Sequence, residues 1–332
     1  MGSRTAAASA TDARSLIEAR PPALVRAVLG STAAARLSAW REWREAADLD
    51  HLTPEEFLTL PCLGRDLKDW LTLDPLPGIF RGMLRRAWTE NQLRLNETRA
   101  AMDVLEDAGC GPVLAAGAVT IALLNPFEGS VRPIPELRLA IPRERLHEAS
   151  AALAAHGWRP SYPVPDPDVL DWVPAVHFSR HQLQLVLQWR LLPVTGTAAK
   201  ACEAEMSKQH RTVVQGGCNW RVPGVEETLL AAMCGRFDFD HDPIHWAVDA
   251  ALLPTKDVDW NRWSRLAAEF APEAFDRLEW MRHAGWRAPQ LKRPPAPKPA
   301  APPKPAMPHA LRAAYRRWRG RAGRVLRKMG LR

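Results

Sequence analysis

The stretch Val131–Pro142 reads VRPIPELRLAIP, and its last half alternates. Leu137, Leu139 and Ile141 fall on one side of an extended chain, and Glu136, Arg138 and Ala140 on the other. A period of two is the signature of a strand with one face in a core. It predicts a β-strand over ELRLAI, with an acid and a base side by side on the face away from the apolar one.

Working outward, the period changes on both sides. PVLAAG (Pro112–Gly117) is a short apolar strand, and AVTIALL after it is a small-residue helix. PRERLHEASAALAAHG is a helix that Pro142 starts and Gly157 stops. AVHFSR and QLQLVLQW flank a short turn and predict a hairpin. The order β-α-β-α-β-β argues for a small mixed sheet covered by helices, an α/β (α+β) fold.

Helical spacing governs the rest. One helical pattern runs from Asp12 to about Ala47, and another from Gly78 to Ala108, with Gly109 as its stop. In LTPEEFLTL, Thr53 is placed to cap, Pro54 sits at the first helical position and Glu56 closes a capping box. After the hairpin comes a polar stretch, then helices over PGVEETLLAAMCG, HDPIHWAVDAALL, DVDWNRWSRLAAEF and PEAFDRLEWMRHAG. Asp242 is the expected cap of the second of these. The implied organisation is a disordered 1–11, a helical region 12–108, an α/β core 109–192, a helical region 193–288, a Pro-rich linker 289–308 and a basic helix 309–332.

Charge separates the tail from the rest. Of the 45 Lys and Arg residues, 13 lie in 291–332, with none of the 37 Asp and Glu residues. The preceding 290 residues therefore hold 32 bases and 37 acids, although the whole chain is +8. Leu311, Tyr315, Trp318, Ala322, Val325 and Met329 repeat in steps of 4-3-4-3-4 and make one apolar stripe. Around it stand Arg316, Arg317, Arg319, Arg321, Arg324, Arg327 and Lys328. Such a helix suits an anionic membrane surface or an acidic protein partner, with nucleic acid ranked behind both. Packing back on the acidic globule is the plainer alternative.

Five cysteines, an odd number without a CxxC pair, fit a reducing compartment and no disulfide framework. No run of about 18 apolar residues suggests a membrane span. A cytoplasmic protein is expected, with peripheral membrane attachment through the tail as the open alternative. His241, His245 and Asp249 have metal-like spacing, but a cap at Asp242 would leave His241 outside the helix; structural roles are expected for all three. The tryptophans Trp70, Trp88, Trp246, Trp260 and Trp263 are expected to pack in cores or between helices.

Several pieces in one order carry a family resemblance. They are Asn91, AGCGPVLAAG, RPIPELRLAIPRERL, HGW, QLVLQWRL, PGVEETLLAAMCG, IHWAVDAALL and VDWNRW. Together, over about Gly78 to Gly285, they resemble the uncharacterised bacterial nucleotidyltransferases with a polymerase-β-like core. The resemblance implies a strand with Asp-x-Asp, a third Asp on a neighbouring strand, and a Lys-Gly before a short helix. Such a cup would hold Mg²⁺ for in-line attack on an α-phosphate.

In this chain the first Asp corresponds to Glu136, the second to Arg138 and the third to Val186. The Lys corresponds to Ala116, with Gly117 retained, and a His before Trp corresponds to Gln188. The resemblance therefore implies a catalytically degenerate protein with Glu136 as a vestige. No cofactor is expected, Mg²⁺ entering only if the protein is active. Gly117, Arg132 and Arg138 become candidates for holding a nucleotide or phosphorylated ligand, because guanidinium groups bind phosphate in bidentate fashion. A salt bridge between Arg138 and Glu136 is the structural alternative. Two other functions stay open. One is an active transferase built on Glu136 with Asp166, Asp168 or Asp171. The other is an adaptor recruited by the basic tail.

Overall fold

The computed structural model describes residues 22–70, 74, 76–115, 117–124, 132–235, 245–254 and 257–283. The expected disordered start, Pro-rich linker and basic tail lie outside the described residues, as do Ala116, His241 and Asp242.

Helices come first among the described residues: α1 (Ala23–Leu29), α2 (Ala33–Ala46), α3 (Pro54–Thr59), α4 (Gly64–Trp70) and the long α5 (Pro77–Asp107). Within the described residues, the helix expected up to about Ala47 is broken at Gly30. Gly30 leaves the helical conformation after α1, and Thr32 caps α2 by accepting from the Ala35 N–H at 3.1 Å. Arg36 donates to the Gly30 carbonyl at 3.1 Å and so holds the corner. A Cβ on Gly30 would lie 2.7 Å from Arg36 Cγ, so the bend has no room for a side chain. The capping box at Thr53 and Glu56 forms as expected, with Pro54 in the first turn. Gly109 stops α5 with φ +69°, a conformation that glycine adopts at little cost.

The sheet follows: β1 (Val113–Leu114), α6 (Ala118–Leu124), β2 (Leu137–Ala140), α7 (Leu146–Ala155), β3 (Arg159–Pro160), β4 (Ala175–Arg180) and β5 (Leu183–Gln188). Its spatial order is β1-β2-β5-β4-β3, with β2 and β5 parallel and the other pairs antiparallel. The expected strands and hairpin are in place; the two-residue β3 was too short to show a period.

The polar stretch after β5 holds structure that its polarity hid. It contains α8 (Ala198–Met206) and a ribbon of β6 (His210–Gln215) and β7 (Cys218–Pro223). The pairing of Gln215 with Cys218 leaves a two-residue turn at Gly216 and Gly217, with φ +58° and +74°. Two glycines between alternating runs are a hairpin signal. Helices α9 (Val225–Cys234), α10 (Trp246–Leu252), α11 (Trp260–Phe270) and α12 (Glu273–His283) complete the described chain. Helix α10 starts later than the spacing predicted: His245 is its cap, accepting from the Ala247 N–H at 3.2 Å.

Two apolar clusters form among the described residues. One joins α1–α4 and the start of α5 to the C-terminal helices, through residues such as Trp40, Phe80, Leu230 and Trp263. The other lies between one sheet face (Leu137, Leu139, Leu185, Leu187) and Met102 and Leu105 of α5 with Ala149 and Leu153 of α7. Helix α5 belongs to both. Trp263 is fully buried, whereas Trp88 is 43% exposed and lies outside the core.

Candidate functional site

The sheet face opposite the apolar one carries the residues in question. Alternation puts Arg138 on that face, and the strand register sets it against Val186 of β5, which in turn faces His177 of β4. Glu136 precedes β2 by one residue. All of them are buried: Glu136 is 7% exposed, Arg138 8%, His177 8% and Val186 1%. Glu136, Arg138 and Val186 thus meet in one place.

Their chemistry does not fit a divalent cation. Arg138 Nη2 donates to Glu136 Oε1, so the remaining carboxylate faces a fixed positive charge. Val186 offers no donor atom. Mg²⁺ needs several oxygen ligands, and a guanidinium beside it opposes binding. Among the described residues no three His, Cys, Asp or Glu side chains converge as a ligand set.

Gly117 lies against the same arginine. A Cβ there would sit 3.2 Å from Arg138 Cδ, with φ +157° at the glycine. The stem of Arg138 therefore lies over the bare backbone of a residue expected to help hold a nucleotide or phosphorylated ligand. Gly117 also accepts from the Ile121 N–H at 2.9 Å in the first turn of α6.

Arg132 is placed by two anchors. Asn91 of α5 donates to the Arg132 carbonyl at 2.7 Å and accepts from the Ile134 N–H at 2.9 Å. This clamps the segment that enters β2. The Arg132 side chain, 2% exposed as a residue, forks onto Asp249 of α10, with Nε–Oδ1 at 2.6 Å and Nη2–Oδ2 at 3.1 Å. A buried guanidinium needs such a partner. A structural role was expected for Asp249, but the sequence gave no hint of its donor, which is 117 residues away.

The remaining candidates are scattered. Gln188 donates to the Arg190 carbonyl at 2.6 Å. Asp166 and Asp168 are exposed at a turn, and Asp171 accepts from Arg143 at 2.5 Å. His245 stacks on Trp280, with ring centroids 5.9 Å apart, besides capping α10. Cys62, Cys110, Cys202 and Cys234 are buried, and burial pushes the Cys110 thiol pKa up, against thiolate chemistry. The tail candidates Arg316, Arg317, Trp318, Arg319, Arg321, Arg324, Arg327 and Lys328 lie outside the described residues. Among the described helices none is long and apolar enough to cross a membrane.

Comparison with known proteins yields one match. The family model described as "Uncharacterised nucleotidyltransferase" matches residues 57–275, well over half of the chain. Neither the curated proteins nor the solved structures contain a match.

Proposed function

The chain belongs to the uncharacterised nucleotidyltransferase family, and from that premise we propose that it is a degenerate member, acting as an accessory protein without metal-dependent nucleotidyl transfer. The observation that carries this is the Arg138 side chain. Its stem lies over Gly117 and its guanidinium is bonded to Glu136. Two-metal transfer needs cations bridging the nucleophile, the phosphate and the leaving pyrophosphate. Here one of the three matching positions is a carboxylate, one a guanidinium and one a valine. The Arg138–Glu136 pair sets a positive charge against the carboxylate that a cation would need.

Calorimetry with a non-hydrolysable ATP analogue, with and without Mg²⁺ or Mn²⁺, tests this. Metal should leave the binding isotherm unchanged. Metal-dependent binding, or pyrophosphate released from any nucleoside triphosphate, would overturn the proposal.

Recruitment by the basic C-terminal segment is the second part of the proposal, and the charge segregation at 291–332 supports it. Each Lys or Arg near an anionic bilayer adds about 1 kcal/mol. The full chain should float with anionic vesicles at low salt and release at high salt, and a chain ending at 290 should not float. Equal behaviour of the two chains would remove this part.

A further inference from the structure

A cavity of about 500 Å³ opens at the other end of the sheet from Gly117. Its floor is the chain leaving the carboxyl ends of the parallel neighbours β2 and β5, Ala140–Glu144 and Trp189–Leu191. One wall is α8 and the other is the β6–β7 ribbon. Crevices beyond the carboxyl ends of parallel strands are common ligand sites in α/β sheets, and the volume suits a small organic molecule.

The lining is divided. Val113, Ile141, Trp189 and Met206 make an apolar floor. Lys200, His210 and Arg221 stand on exposed positions of the walls. Lys200 shares its helix face with Glu203, Ala204 and Ser207, at the three-, four- and seven-residue spacing. His210 and Arg221 lie on one face of the ribbon, because His210 pairs with Pro223 and Arg221 with Thr212. The nearness of Arg221, together with burial, lowers the His210 pKa. Among the described residues neither Lys200 nor Arg221 has a carboxylate partner.

Two acids also line the cavity. Glu144 is exposed. Glu203 is committed inside the protein, accepting from Arg143 Nη2 at 2.5 Å, with Arg190 Nε at 3.8 Å. Arg190 is buried, and burial pushes its pKa down to about 10, which leaves it charged at neutral pH. It donates to the carbonyls of Asp171 at 2.9 Å and Leu170 at 3.1 Å. The Nε atoms of Arg143 and Arg190 are nevertheless buried without a hydrogen-bond acceptor among the described residues. Buried donors in this state call for an acceptor.

We propose that this cavity binds a small phosphomonoester, its phosphate held by Lys200, His210 and Arg221 and its apolar body against Trp189 and Ile141. Three donors lining one cavity match the three terminal oxygens of a phosphate better than the two of a carboxylate. The site is separate from the Glu136–Arg138 pair and goes beyond the function proposed above.

Phenyl phosphate is the probe, titrated calorimetrically into the full chain beside inorganic phosphate and phenol. Phenyl phosphate should bind more tightly than either fragment. The double variant K200Q/R221Q should weaken it by about tenfold or more. A second variant, A204F, narrows the cavity from α8 without touching a charge, and should weaken phenyl phosphate while sparing the melting temperature. No binding of phenyl phosphate to the native chain at millimolar concentration overturns the proposal. So does unchanged affinity in both variants.

Discussion

Arg138 shows how much one side chain decides. In a strand its position is read from alternation alone, and its charge from its name. What cannot be read is where the guanidinium ends. It returns to Glu136, two residues back on the same face, and its stem closes over Gly117. Breaking a buried ion pair by removing one partner costs about 3–5 kcal/mol, because the other charge stays buried. R138D puts two carboxylates there instead. It should lose at least that much stability in a urea titration without metal and recover part of it with Mn²⁺, whereas the native chain should show no Mn²⁺ effect.

His210 offers a pH test at the same scale. Burial and Arg221 lower its pKa in the folded chain. The stability it contributes is complete above the unfolded value of about 6.5 and drains away as pH falls through the folded value. The ring is only partly covered, so the effect is small. H210Q should flatten the acid-side loss of unfolding free energy below about pH 6.5, as measured by urea titration at stepped pH. An unchanged slope would show that other groups carry it.

Elements were legible where their signals are local. The capping box at Thr53 needs only four neighbouring residues: Thr53 accepts from the Glu56 N–H at 3.2 Å, and Glu56 accepts from the Thr53 N–H at 2.9 Å. T53A should cost about 1 kcal/mol in urea unfolding. The strand ELRLAI, the long α5 and the β4–β5 hairpin were legible for the same reason, since their periods run over enough residues. The elements that sequence missed were short or polar. The β6–β7 ribbon is half solvated, which weakens its apolar alternation, although its two glycines were a usable signal. The break at Gly30 was signalled by the Gly-Ser-Thr run and overridden by helical spacing on both sides.

At the scale of the whole molecule, distant segments lock together through polar contacts that no local pattern contains. Arg132, just before β2, is bonded at two points to Asp249 of α10. This pair ties the sheet to the C-terminal helices, which share an apolar cluster with α1–α4. D249A removes the carboxylate onto which this buried guanidinium forks and should destabilise by about 3–5 kcal/mol. Because α5 runs through both clusters, circular dichroism and tryptophan fluorescence should follow one common transition. Two separated transitions would mean that the clusters melt independently.

The order of strands and helices, the acid–base alternation at Glu136 and Arg138, and the family likeness were all in the sequence, because periodicity and residue type are properties of neighbours along the chain. Which charges neutralise one another was decided only by tertiary structure. A buried ion pair forms wherever folding brings its partners within a few ångströms, and that distance depends on every element between them. The same holds for the cavity beyond β2 and β5: its walls come from α8 and the ribbon, and only their packing brings Lys200, His210 and Arg221 around one space.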